Sequence, residues 1–217
     1  MLGESLIALS ESALHIAGGI VGFSISRVAR QGYRETSSPT LFRLSIAFAL
    51  LGLGLSLTGI TLFIQLSTFE VFTIWLSAAL VIATSLETTG YFILALSQGI
   101  KARSSRSSKT GLLAIAAVPT LPILAFLRSL SFIFILYAMI ETILSYLESK
   151  RPYTLGIAIG LGLLAMSVFV KWLALFYTGV SPLLIASILL KLFGFIMLYI
   201  PVMRFTSMKG VPQFANI

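Results

Sequence analysis

The chain has 217 residues, 58% hydrophobic and only 10% charged, against roughly 25% charged in an ordinary soluble domain. A soluble globular reading is excluded. Fifteen Lys and Arg against seven Asp and Glu give a net charge of +8, which in a soluble protein would suggest nucleic acid; in so apolar a chain the basic residues are first of all topology signals. With no cysteine and one histidine, disulfides, thiolate metal sites and multi-histidine metal or haem centres within one chain are excluded.

A bilayer core of ~30 Å needs about 20 apolar residues per helix. In chain order the candidate runs are 5–28, 41–65, 71–98, 110–127, 129–147, 154–177 and 181–203. They are continuously apolar with no period of two, which predicts helices and not barrel strands. The expected fold is all-α: one integral membrane domain of seven transmembrane helices with no soluble domain. The start, Met1-Leu2-Gly3-Glu4, holds no basic residue, so the first run is expected to remain as a helix and not to be a cleaved signal.

The fourth and fifth runs share the 37 residues 111–147, which include Pro119 and Pro122. At ~1.5 Å per residue that is about 55 Å of helix, too long for one straight span and a little short for two. A tight hairpin turning near Arg128 and Ser129 is expected. A re-entrant pair of half-helices is the alternative, and it leaves the other helices oriented the same way.

Arg27, Arg30, Arg34 and Arg43 surround the first connection, Lys101, Arg103, Arg106 and Lys109 fill the third, Lys150 and Arg151 the fifth, and Arg204 and Lys209 the tail. Twelve of the fifteen basic residues therefore occupy alternate segments. The opposite connections are short and nearly uncharged, which places the N-terminus outside and the C-terminus in the cytoplasm. The clusters at Arg27, Arg30 and Arg34 and at Lys101, Arg103 and Arg106 suit anionic headgroups, which attract each basic residue by about 1 kcal/mol. Docking of a cytoplasmic partner is the second reading. Nucleic-acid binding needs stacking aromatics beside the charges, and only Tyr33 is available.

Six ionisable residues fall inside the runs: Glu11, His15, Glu87, Glu141, Lys171 and Lys191. A charge near the centre of a helix costs ~2.5 to 3.5 kcal/mol on insertion, so each should face other helices or water. Glu11 and Lys171 share a depth about 9 Å below the outer boundary, and Glu87 and Lys191 both fall near the midplane; two charge pairs are expected. Glu141 has no intramembrane cation left and can reach Lys150 or Arg151. Pairing between helices is the structural reading of this set. A proton or ion path through Glu87, Glu141, Thr88, Thr89 and Tyr91 is the functional one. His15 lies one turn from Glu11, which is expected to be its partner; as a haem ligand it would need a methionine such as Met139, Met166 or Met197.

Gly18, Gly22 and Ser26 form a small-residue stripe, as do Gly156 and Gly160, and such stripes let helices approach closely. No Walker loop, His-Glu-x-x-His or Gly-x-Ser-x-Gly is present, so an enzyme is not expected.

Seven helices, an outside N-terminus and Lys191 near the middle of the last one resemble the layout of the microbial rhodopsins. The local sequence Lys191-Leu192-Phe193-Gly194-Phe195 is similar to their post-lysine stretch. The resemblance implies retinal held as a Schiff base on Lys191 with Glu87 as counter-ion. The chain departs from the family at Ser187, where an acidic residue is usual, and in lacking an arginine in the third run.

The function expected from the sequence is that of a non-catalytic integral-membrane subunit of a larger assembly, multi-pass in the cell membrane. Its partners would be other membrane subunits and anionic lipids, with no cofactor, metal or nucleic acid. The alternative is a seven-helix transporter, channel or sensor whose intramembrane carboxylates bind a proton or cation, with a retinal protein as its minor variant. A polar cavity reaching Glu87 from one side would favour the alternative.

Overall fold

In the computed structural model, residues 2–67, 73–103, 123–150, 152–174 and 181–207 are described. They form α1 (Leu2–Thr36), α2 (Pro39–Ser67), α3 (Thr73–Arg103), α4 (Ile123–Ser149), α5 (Pro152–Leu173) and α6 (Ser181–Ser207), with no strand among the described residues. All six are long and apolar enough to cross a bilayer, the layout of a multi-pass membrane protein.

The helices make a closed ring. Each packs on its neighbours in chain order and α6 returns to α1, while α3 and α6 face each other across the middle with no backbone contact. Side-chain pairs fix the directions. On the α1–α2 seam Ser12 Oγ donates to the Gly59 carbonyl at 2.8 Å and Ser26 Oγ to the Ser45 carbonyl at 2.8 Å, an antiparallel register. Gly54 and Gly90 of α2 and α3 meet Glu87 and Ala47 in the same sense. Antiparallel packing also joins α4 to α5, through Phe132 on Phe169 at 5.4 Å and Met139 against Gly162, and α5 to α6, through Ser187 on Ser167 and Leu198 against Gly160.

The α3–α4 seam differs. Thr88 meets Ser131 at 2.9 Å and Phe92 meets Phe134 at 5.1 Å, so these two helices run parallel. Hence α1, α3, α4 and α6 all begin at one end of the ring, called the upper end below. Arg103 closes α3 at the lower end, and Ile123 opens α4 at the upper.

Six helices are described where seven runs were expected. The hairpin at Arg128 and Ser129 is not formed: α4 is one unbroken helix of 27 residues, about 40 Å long. The rest of the run 110–127 lies outside the described residues. Both would-be corner residues find inward partners that replace the water a corner would offer. Arg128 Nη1 donates to the Lys171 carbonyl at 3.5 Å. Ser129 Oγ donates to the Ala125 carbonyl at 2.9 Å and accepts from Trp172 Nε1 at 3.0 Å.

The lower-end turns are both tight. Ser37 and Lys150 adopt left-handed φ of 52° and 50°, each returning its N–H to the carbonyl four residues back, Tyr33 and Tyr146, at 2.7 Å. Pro39 and Pro152 then open α2 and α5 at the first helical position, where a missing N–H costs nothing. Helix α1 thus runs past the expected end at residue 28 and carries the exposed Arg30 and Arg34 on its added turns, after Arg27.

The small-residue stripes serve chain neighbours. Gly22 lies on Gly52, where an added Cβ would stand 3.0 Å from the Gly52 Cα, and Gly18 abuts Leu55 and Leu192. Gly160 packs on Gly194 of α6, whereas Gly156 has only Pro201 Cγ at 3.6 Å. Substituting Gly22→Ala should therefore overpack two backbones and cost about 1–3 kcal/mol. Gly156→Ala should be neutral or stabilising through helix propensity. Thermal melts of the two variants in detergent check the contrast, and equal behaviour would refute the seam.

Candidate functional site

At the centre of the ring Lys191 Nζ donates to Glu87 Oε2 at 2.6 Å, with side-chain exposures of 4% and 10%. The pair links α6 to α3, helices whose backbones do not pack on one another. Gly54 makes this geometry available: a Cβ there would fall 2.8 Å from Glu87 Cγ and 3.1 Å from its backbone N, so only glycine lets α3 turn this carboxylate inward against α2.

A cavity of about 20 Å³ adjoins the pair, lined by Thr84, Glu87, Tyr91, Arg128, Ser131, Val168, Lys171 and Lys191. That is room for one water-sized particle. The Tyr91 hydroxyl, on a residue with 0% exposure, is buried without a hydrogen-bond partner. Arg128 stands in the second turn of α4 and Lys171 in the last turn of α5, so the cavity lies between the midplane and the upper end.

His15 is fully buried on α1. Its Nδ1 lies 2.9 Å from the Glu11 carbonyl, which can only accept, so Nδ1 carries the proton. Nε2 is then the acceptor for Lys171 Nζ at 3.3 Å. This corrects the expected pairing in two respects: Lys171 is met by the imidazole and not by the Glu11 carboxylate, and His15 bonds to the Glu11 backbone and not to its side chain. Lysine and histidine both point into the ring, whereas Glu11 is half-exposed.

Glu141 is half-buried on α4, with no ion pair to it among the described residues. In the α3–α4 register it lies roughly 17 Å below Glu87, past the buried Leu94, Ile135 and Ala138. A continuous path from Glu87 to Glu141 is therefore not formed. Thr88 Oγ1 lies 2.9 Å from Ser131 and 2.8 Å from the Thr84 carbonyl, and Thr89 Oγ1 donates to the Ser85 carbonyl of its own helix at 2.8 Å. The exposed Arg27, Arg30 and Arg34, with Lys101 and Arg103 in the last turn of α3, collect at the lower end; Arg106 lies outside the described residues. Sequence reasoning placed Arg128 at a turn and so missed it as a cavity residue, although a lone arginine within a long apolar run is the signal of an inward-facing charge.

Neither family models, curated proteins nor solved structures show a match to the chain. The retinal implied by the rhodopsin resemblance does not fit the residues present: the space beside Lys191 is about 20 Å³, where organic ligands of that size occupy about 300 Å³ or more.

Truncating one member of a buried pair strands the other, at ~3–5 kcal/mol. Lys191→Met and Glu87→Gln should each lower the thermal midpoint strongly, and the double variant should recover much of the loss. Glu11→Gln, at a half-exposed carboxylate with no ion pair within the described residues, should cost less than about 1 kcal/mol. Additive losses in the double variant would show that the two charges do not depend on each other.

Proposed function

We propose that this chain is a transporter of a small ion, a multi-pass protein of the cell membrane with seven crossings, an outside N-terminus and a cytoplasmic C-terminus. The observation that carries the reading is the buried Glu87–Lys191 pair opening on a polar cavity in the upper half of the ring. Below it Phe48 and Phe195, 5.8 Å apart and edge-on, close the ring with Leu51, Leu94, Ile135, Leu161 and Leu198. A polar cavity on one side of the pair and closely packed side chains on the other suit a transporter better than an open channel. No catalytic role is assigned to any residue.

The parallel α3–α4 seam supports the seven crossings. Arg103 and Ile123 terminate at opposite ends of the ring, so residues 104–122, which include the apolar stretch 111–118, have to return the chain from the lower end to the upper. The basic residues at the lower end support the orientation, since cytoplasmic segments carry the excess of Lys and Arg. A cysteine at Ser105 should react with an impermeant reagent only from the cytoplasmic side, and one at Thr178 only from outside. The reverse pattern would overturn the orientation.

The transport reading is tested in proteoliposomes under an ion or pH gradient. Flux should be present with the parent chain and fall tenfold or more in Glu87→Gln, the effect of ~1.4 kcal/mol at the site. Absence of flux with a folded parent chain would remove the reading. Stoichiometric co-purification of other membrane chains would then favour the subunit of a larger assembly.

A further inference from the structure

The charges around the cavity do not balance. Arg128, Lys171 and Lys191 line it with one carboxylate, Glu87, and Glu87 is already committed to Lys191 at 2.6 Å. Glu11, within electrostatic reach of Lys171 and Arg128, is the further carboxylate coupled to these cations among the described residues. His15 is neutral in the tautomer its two bonds require. One cation remains in excess, in surroundings where an uncompensated charge is costly.

Donors are in excess as well. Arg128 offers five N–H groups and uses one in a long bond to the Lys171 carbonyl. Lys171 shares one proton with His15, and the hydroxyl of Tyr91, a residue that lines the cavity, is buried without a hydrogen-bond partner. A cation would need free acceptor oxygens, and the one lining carboxylate is occupied. An anion would accept from the arginine, the lysine and the tyrosine together. We infer that the cavity binds a small monovalent anion of halide size between Arg128, Lys171 and the Tyr91 hydroxyl. This rests on the transport reading for its purpose but not for its binding.

The test is a thermal melt of the purified full chain in sodium gluconate against sodium chloride or bromide at constant ionic strength. Halide should raise the midpoint saturably, by roughly 5 °C or more at a hundredfold excess over Kd. Arg128→Gln should abolish the rise. Tyr91→Phe is the variant that keeps the shape of the side chain: without halide it should match or exceed the parent, because it removes a buried hydroxyl with no partner, and in halide it should fall below it. No halide-specific rise would overturn the site, and so would a rise of equal size in both variants. If Tyr91→Phe is less stable in gluconate and halide alike, the hydroxyl serves a bound water and the anion is refuted. A halide rise without flux in proteoliposomes would sustain the anion site and defeat the transport reading, so the two fail separately.

Discussion

The structure turns on one ion pair across the middle of the ring. The backbones of α3 and α6 do not pack on one another, so the distance between them must be held to what a lysine and a glutamate side chain can bridge. The neighbouring seams set that distance. Gly54 admits Glu87 against α2, Gly22 and Gly52 bring α1 and α2 to backbone contact, and Gly160 and Gly194 do the same for α5 and α6. A ring widened by a methyl group at any of these seams would pull the carboxylate from the ammonium. In a medium of low dielectric each charge depends on the other for its solvation, so seam packing and the central pair depend on one another.

The interior is divided by depth. Charged groups gather in the upper half, on α1, α3, α4, α5 and α6, while the lower half is filled by Phe48, Phe195 and aliphatic side chains. The buried hydroxyls of the lower half need no water: Thr142 Oγ1 donates to the Ala138 carbonyl and Ser97 Oγ to the Leu94 carbonyl, each within its own helix. Polar groups also bond across helices, Ser26 to Ser45 in the lower half and Ser12 to Gly59, His15 to Lys171 and Ser187 to Ser167 in the upper. Such contacts specify which helices are neighbours, and they also leave donors in excess where the cavity lies.

Hydropathy made most of the helices legible, because six of the runs correspond to helices whose length the bilayer dictates. The midplane match of Glu87 and Lys191 was legible too, since counting at 1.5 Å per residue gives depth without any knowledge of neighbours. Counting cannot supply azimuth, and there the reading failed. Glu11 and Lys171 share a depth, yet their helices are not adjacent in the ring, and the buried imidazole lies closer to the lysine than the half-exposed carboxylate does. The misplacement of Arg128 has a related cause: a charge within an apolar run marks a turn if it meets water and an interior site if it meets a carbonyl, and hydropathy weighs the two alike.

The ring order adds a relation that no single seam shows. Helices α1 to α3 run down, up and down, and α4 to α6 repeat that sense, so a half-turn about the ring axis takes each helix of the first half onto one of the second. Parallel repeats about an axis along the membrane normal place their binding sites between the halves. Glu87 lies on the third helix of the first half and Lys191 on the third helix of the second, which sets opposite charges at corresponding places across the axis. Identical residues there would repel, and a symmetric pair of carboxylates or lysines could not both stay ionised at 2.6 Å. Ser45-Ile46-Ala47-Phe48-Ala49 of α2 and Gly156-Ile157-Ala158-Ile159-Gly160 of α5 share composition but do not align as a repeat, so the relation is one of helix order and direction. Approximate symmetry therefore governs the framework, and the departure from it at the axis is what lets the two halves hold each other.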